Sequence, residues 1–385
     1  MNKNIAITIQ NLVQFYSIEK GIEILKKNNL NVDIYVPTTT IEGFKDMYDY
    51  TYNFLKQKGY EPLRKVKNKK YRIVLEADYM EDYFNFDTDY LLKYKYGVSV
   101  KPKLSFTAYH NIIFDGILCY CTYEKEMLGL YTKTWNVGNL KFIDYKKNNK
   151  FLFNKKRILY LPTYDNVEEI EKILLIVKKL KKQYSFSIKL HHGTSFLRNE
   201  ESIKEKIYNI FDKVYEHDTN LVELLKETDV VITDISGAIF EAIYGDTPVG
   251  IISKNCEKFK YNNIEPLQQK YINSNKIPYT DNFEDLKTII KKCLKTETLN
   301  KQLEIKKELF PLANNELETN FMGIINFYLK NDINIEKKLL RNNFIKEYYE
   351  YANNYENLKL ENKFLNESLI DKDKQIEYYK SQIKN

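Results

Sequence analysis

The run from Asp229 to Ser253, Asp-Val-Val-Ile-Thr-Asp-Ile-Ser-Gly-Ala-Ile-Phe-Glu-Ala-Ile-Tyr-Gly-Asp-Thr-Pro-Val-Gly-Ile-Ile-Ser, decides the fold. Val230 to Ile232 is short, apolar and β-branched, the pattern of a parallel strand buried on both faces. Thr233, Asp234, Ser236 and Gly237 follow where a helix begins, with Ala238, Ile239, Ala242 and Ile243 as its apolar face. Val249 to Ile252, after Pro248, closes a strand, helix, strand unit. In a parallel sheet the strand-to-helix turn of such a unit lies at the carboxyl edge, where ligands bind. Backbone N–H groups at Ser236 to Ala238 are expected to leave the helix start toward an anion such as a diphosphate. A capped helix in an ordinary α/β core is the competing reading, since Asp and Ser are frequent caps.

The same alternation extends in both directions. Upstream lie strand Arg157 to Leu161, helix Val167 to Lys182, strand Phe186 to Leu190, helix Ile203 to Phe211, strand Lys213 to Tyr215 and helix Leu221 to Glu227. Before them, Ile5 to Ile9, the helical spacing of Leu12 to Leu25, and Val32 to Val36 make a β-α-β opening without a G-x-G-x-x-G. Phe44 to Lys58 reads as helix. Tyr71 to Glu76, Gly116 to Tyr120 and Thr134 to Val137 read as strands, and Tyr83 to Lys103 as a loop-rich stretch facing a cleft. A lysine-rich connector between Phe142 and Lys156 separates the halves. The expectation is α/β with two Rossmann-like lobes, residues 1–145 and 155–330, the latter finished by helices Asn282 to Leu294 and Glu316 to Leu329. Residues 335–385 form a helical tail. From Tyr348 its heptad positions alternate three and four apart, with Asn362 at an a position, which suits a coiled coil and a parallel homodimer, a solitary helix laid on its own domain being the alternative.

Composition narrows the function. Of the charged residues 60 are Lys or Arg and 53 Asp or Glu, interleaved along the chain, so the net +7 reads as solvated surface and no nucleic-acid partner is expected. Met1 to Ile9 has no apolar h-region, and no run approaches membrane-spanning length. Of the four cysteines, Cys119 and Cys121 share a strand face as core. A cytoplasmic protein follows, with any membrane contact peripheral, on the inner leaflet.

Only four histidines are available for chemistry. His191 and His192 leave strand Phe186 to Leu190 at the edge that carries Asp234 and Ser236, and Thr163 leaves strand Arg157 to Leu161 at the same rim. An imidazole there can donate to a diphosphate oxygen or stabilise a departing nucleotide. His110, ahead of a first-lobe strand, is placed to act as base on an acceptor hydroxyl, with a structural role as the alternative. His217, before Asp218 and Thr219, suits capping and nucleotide contact equally. Asp87-Thr88-Asp89 mimics a metal-holding Asp-x-Asp but reads as solvated charge, so no metal and no cofactor beyond the donor is expected. The absence of G-x-x-x-x-G-K-[ST], H-E-x-x-H and G-x-S-x-G removes common nucleotide hydrolases, zincins and serine hydrolases.

The ordered set Val137-Gly138-Asn139-Leu140-Lys141-Phe142, Ile158-Leu159-Tyr160-Leu161-Pro162-Thr163, Ile188-Lys189-Leu190-His191-His192 and Asp229 to Glu241 resembles the CDP-glycerol glycerophosphotransferase family of teichoic-acid type polymerases and primases. The resemblance implies a GT-B fold and transfer of an alditol phosphate from a CDP-activated donor to a polysaccharide or lipid-linked acceptor. It implies that His191 or His192 matches the family's second-lobe His, Thr163 its Pro-Thr strand end, and Asp234, Ser236, Gly237 and Glu241 its donor-phosphate segment. Thr233, Ala238 and Gly138 complete the expected donor-binding set. The chain departs from the family in His191-His192 for His-Pro, in Ser236-Gly237 for Ser-Ser, and in lacking the first-lobe Trp-His-Gly-Thr-Pro motif. Rival readings are a GT-B glycosyltransferase or epimerase using a UDP or CMP sugar, and a non-catalytic coiled-coil scaffold for surface-polymer assembly.

Overall fold

The computed structural model describes residues 2–39, 43–77, 86–98, 109–148, 155–163, 167–191, 193, 201–254, 265–347 and 350. Two parallel sheets organise it. The first holds β1 (Asn4–Thr8), β2 (Asn31–Tyr35), β3 (Tyr71–Glu76), β4 (Thr88–Tyr94), β5 (Gly116–Cys119) and β6 (Thr134–Asn136) in the order β2-β1-β3-β4-β5-β6. The second holds β7 (Lys156–Leu161), β8 (Tyr184–Lys189), β9 (Lys213–Tyr215), β10 (Val230–Thr233), β11 (Val249–Ile252) and β12 (Tyr279–Thr280) in the order β12-β11-β10-β7-β8-β9. Strand order reverses between β1 and β3 in the first sheet and between β7 and β10 in the second, giving each lobe a switch point where the chain diverges and a crevice opens.

Local chemistry explains the elements. The helix Leu12–Lys27 starts where the Asn11 side chain accepts the Gln14 N–H, and its Leu12, Phe15, Ile18, Ile22 and Leu25 face the first core. The six-residue β3 is buried throughout, as a central parallel strand must be.

Two expectations are corrected. Helix Leu317–Lys330, assigned from the sequence to the second lobe, packs in the first: Leu317, Phe321, Ile324, Ile325, Tyr328 and Leu329 join the core of Ile5, Ile7 and Ile73. Sequence order misleads because the chain returns to the first sheet after completing the second. The Asp87-Thr88-Asp89 stretch is solvated only at Asp87; Thr88 opens β4, between β3 and β5, and Asp89 is buried against Arg72 (3.0 Å) and Lys70 (2.9 Å). Its buried lysines disguised the strand. Lys93 donates to Asn111 Oδ1 at 3.2 Å and so remains inside.

Gly138 stands at φ +69°, and a Cβ there would lie 2.3 Å from Leu317 Cδ2. Both the left-handed backbone and the close approach of the returning helix require glycine. Gly138→Ala is expected to destabilise the protein by about 2 kcal/mol, read as a lower urea midpoint.

The connector is bound to the second lobe. Lys147 Nζ donates to the carbonyls of Leu225 (2.8 Å) and Thr228 (2.7 Å) at the end of helix Leu221–Glu227, and Tyr145 donates to the Gly245 carbonyl at 2.7 Å. Burial lowers the Lys147 ammonium to about 8.

These elements form one compact unit. A second unit takes in residues 332–385, whose described part contains a helix at 335–347. The heptad positions from Tyr348, Asn362 among them, lie outside the described residues. Among the described residues no helix is long and apolar enough to cross a membrane.

Candidate active site

The site begins at the switch point of the second sheet. β10 pairs with β7 so that Thr233 lies opposite Leu161, and the residues leaving both strands emerge side by side. Pro162, with no N–H, ends the β7 ladder. Asp234 Oδ2 then accepts both the Thr163 N–H (2.8 Å) and the Thr163 hydroxyl (2.7 Å), with both residues buried. A carboxylate taking two donors from one residue locks the two strand ends together. Thr233 adds a second tie, its hydroxyl donating to the Leu161 carbonyl at 2.7 Å.

Next to this clasp the helix Ala238–Tyr244 starts. The Ser236 hydroxyl accepts the Ala238 N–H at 3.1 Å, and the Phe240 and Glu241 amides bond to the Gly237 carbonyl at 3.1 and 3.3 Å. The amide expected to point at an anion is therefore occupied by a side chain of its own loop, and at seven residues the helix supplies only a small dipole. A Cβ on Gly237 would lie 3.1 Å from the Val98 carbonyl of the first lobe, so the absence of a side chain eases the close approach of the two backbones.

Charge gathers where the lobes meet. Lys141, in the turn Leu140–Phe142, pairs with Glu241 at 2.6 Å, both side chains buried, and reaches toward the Tyr96 carbonyl at 3.4 Å. Lys189, the last residue of β8, directs its ammonium to the His217 carbonyl at 3.1 Å. Past the end of β9, Asp218 receives the Tyr50 hydroxyl on its carboxylate (2.6 Å) and the Tyr16 hydroxyl on its carbonyl (2.5 Å). The His217 ring meets that of Tyr50 edge-on at 4.8 Å. Burial lowers the His217 pKa, with Lys189 assisting, and burial and the Asp218 bond push Tyr50 up to about 12. Burial thus disfavours the charged form of both rings, and the Tyr50 phenol keeps its proton at neutral pH.

The first sheet repeats the device at its own switch point, where the Thr8 hydroxyl donates to the buried Glu76 carboxylate and Tyr94 donates to the Thr8 carbonyl at 3.0 Å. Nearby, Tyr16, Lys20, Lys141, Asn220 and Glu223 line a cavity of about 170 Å³, smaller than the space a nucleotide-sized ligand fills. Among the described residues no three His, Cys, Asp or Glu side chains converge as a metal-ligand set.

The structure thus brings Thr163, Thr233, Asp234, Ser236, Gly237 and Ala238 onto one rim, with Glu241 one turn into the helix and tied to Lys141. His191 lies just past β8, its Nδ1 accepting the Gly193 N–H at 3.0 Å. His192 and the side chain of His110 lie outside the described residues. Gly138 sits under Leu317, a packing role that accounts for it. Sequence reasoning passed over Lys141, Lys189, Asp218, Tyr16 and Tyr50. Lys189 and Lys141 stand inside the quoted motifs, but a lysine beside apolar residues reads as solvated until its partner across the cleft is known.

Neither a protein-family model nor a curated protein matches this sequence. Solved structures do share the fold. A putative UDP-N-acetylglucosamine 2-epimerase from Listeria monocytogenes superposes with a TM-score of 0.59 at 10% identity, over 86% of this chain and 98% of that one. The wall teichoic acid polymerase TagF does so with a TM-score of 0.55 at 14% identity, over 86% and 91%. The UDP-GlcNAc 2-epimerase from Neisseria meningitidis bound to UDP-GlcNAc gives 0.54 at 13% identity, over 85% and 100%. At these identities the likeness is one of architecture, and the architecture is the two-lobed GT-B fold.

Proposed function

We propose that the chain is a transferase that holds a nucleotide-diphosphate donor on the carboxyl rim of its second sheet and moves an alditol phosphate from a CDP-activated donor to an acceptor hydroxyl. The observation that carries this reading is the Thr163–Asp234 clasp at the switch point, flanked along one rim by Ser236, Lys189 and His191. Rigid strand ends there hold several donors against a single anionic group, which is how binding energy becomes orientation. The resemblance in the four quoted motifs selects the donor class, and among the structural neighbours TagF has been solved after a soak with CDPG.

The chemistry is substitution at phosphorus. An acceptor oxygen attacks the alditol-bearing phosphorus, a new P–O bond forms, the bond to CMP breaks, and the acceptor proton passes to a histidine base. His110, from the first lobe, is proposed as that base, and His191 or His192 as the group that stabilises the departing CMP. The acceptor is proposed to be a surface polymer or its lipid-linked primer, met at the inner face of the membrane by a peripheral, cytoplasmic protein.

A donor panel tests this. CDP-glycerol, a UDP sugar and a CMP sugar are offered to the full-length protein, with thermal shift and nucleotide release as readouts. CDP-glycerol is expected to give the largest shift, about 2.7 kcal/mol of stabilisation at a hundred times its Kd, and to release CMP in the presence of acceptor. A shift with the UDP sugar alone moves the assignment to a glycosyltransferase or epimerase. No shift with any nucleotide leaves a scaffold.

A further inference from the structure

Lys189 ends β8 on the donor rim, two residues before His191. Its Nζ donates to the His217 carbonyl at 3.1 Å and, at the limit of a hydrogen bond, to the Leu190 carbonyl at 3.4 Å. Among the described residues no Asp or Glu forms an ion pair with it, and the Glu241 carboxylate in its surroundings is already engaged by Lys141 at 2.6 Å. Lys189 is half-buried, and that burial lowers its ammonium to about 8, with Lys141 adding to the lowering while Glu241, Asp218 and Glu216 oppose it. Burial also lowers the pKa of the neighbouring His217, and Asp218 opposes that shift.

A cation this enclosed, served by two neutral carbonyls, is unfavourable unless an anion completes its shell. Solvated lysines avoid the problem by extending into water; Lys189 instead turns its ammonium to the His217 carbonyl past the end of β9. Among the described residues the carboxylates around it are engaged elsewhere, Glu241 by Lys141 and Asp218 by Tyr50, so an anionic group of a ligand on the same rim is the partner its charge calls for. We propose that Lys189 binds the diphosphate of the donor as its principal cationic ligand, an inference that rests on the transferase reading above.

The test uses the full-length chain with CDP and cytidine as paired probes, titrated calorimetrically at pH 7. Wild type is expected to bind CDP more tightly than cytidine. Lys189→Met is expected to lose about tenfold to a hundredfold in CDP affinity and nothing in cytidine affinity. Its ligand-free thermal midpoint should hold or rise, because an uncompensated charge has been removed, whereas a lysine with a purely structural role would lower it. Equal CDP affinity in variant and wild type overturns the proposal. Should the variant not fold, wild type decides: the bound ammonium is protonated while the free one titrates near 8, so CDP affinity should fall about tenfold from pH 7 to pH 9, and a flat profile overturns the assignment. If wild type ignores CDP and UDP but binds inorganic pyrophosphate through Lys189, the nucleotide-donor reading fails and the Lys189 anion site stands. If it binds none of the three, both fall.

Discussion

An Asp234→Ala variant is expected to lose about 3 kcal/mol of stability and to bind a nucleoside diphosphate at least about tenfold more weakly. Asp234 is 1% exposed, and its Oδ2 takes both the backbone N–H and the hydroxyl of Thr163. Removing the carboxylate leaves two buried donors without an acceptor, each costing about 1–3 kcal/mol, and releases the β7 and β10 ends that frame the rim. The buried charge lost at the same time returns some desolvation energy, which is why the estimate stays below the sum. Asp234→Asn keeps one acceptor oxygen and is expected to fall about halfway. Urea midpoints and CDP titrations of both variants check the pair. An Ala variant as stable as wild type would show that the clasp contributes little and that the switch-point crevice is held by packing alone.

The same clasp shows what a sequence can reveal about such a site. Val230 to Ile232 and Arg157 to Leu161 are recognisable as parallel strands because a strand covered on both faces has little choice of residue, whereas the register that sets Thr233 opposite Leu161 comes from the structure. Which hydroxyl Asp234 would hold was not legible, since Thr163 is 71 positions away and pairing across a sheet is not encoded locally. The helix start illustrates a subtler failure: Ser236 was read as one of several groups offered outward, yet its hydroxyl turns back onto the Ala238 amide, a local competition that short polar side chains often win. β4 was missed for an electrostatic reason. Asp89 and Lys93 in the strand and Lys95 just past it are buried against Arg72, Asn111 and Glu124, so charges interrupt the apolar run of Leu91, Leu92 and Tyr94. The lobe membership of helix Leu317–Lys330 was hidden by topology, because its amphipathic face fits any core until the return of the chain is known.

That return depends on Arg72, and Arg72→Met is expected to be the most destabilising single change in the first lobe, by about 3–5 kcal/mol. From β3 its guanidinium donates through Nε to the Tyr328 carbonyl (3.1 Å) and through Nη2 to the carbonyls of Leu329 (3.2 Å) and Asn331, while Nη1 pairs with the buried Asp89 at 3.0 Å. One planar fork thus satisfies the open carbonyl end of the returning helix, where the macrodipole is negative, and neutralises a buried acid. Methionine fills the space but removes the donors to the Tyr328 and Leu329 carbonyls and the guanidinium that pairs with Asp89 beside Lys70. Lysine does not rescue this, because a single ammonium cannot span the fork. The single tryptophan gives the readout: Trp135 donates from Nε1 to the Tyr328 hydroxyl at 2.9 Å and packs against Phe327 at 5.2 Å, so its fluorescence follows the seating of that helix. In Arg72→Met the tryptophan transition should move to lower urea than in wild type and separate from the loss of helicity by circular dichroism, as the helix leaves the first core before the second lobe unfolds. Coincident transitions at the wild-type midpoint would mean that the apolar face of the helix, with Phe321 and Ile325 wholly buried, holds it without help from the arginine.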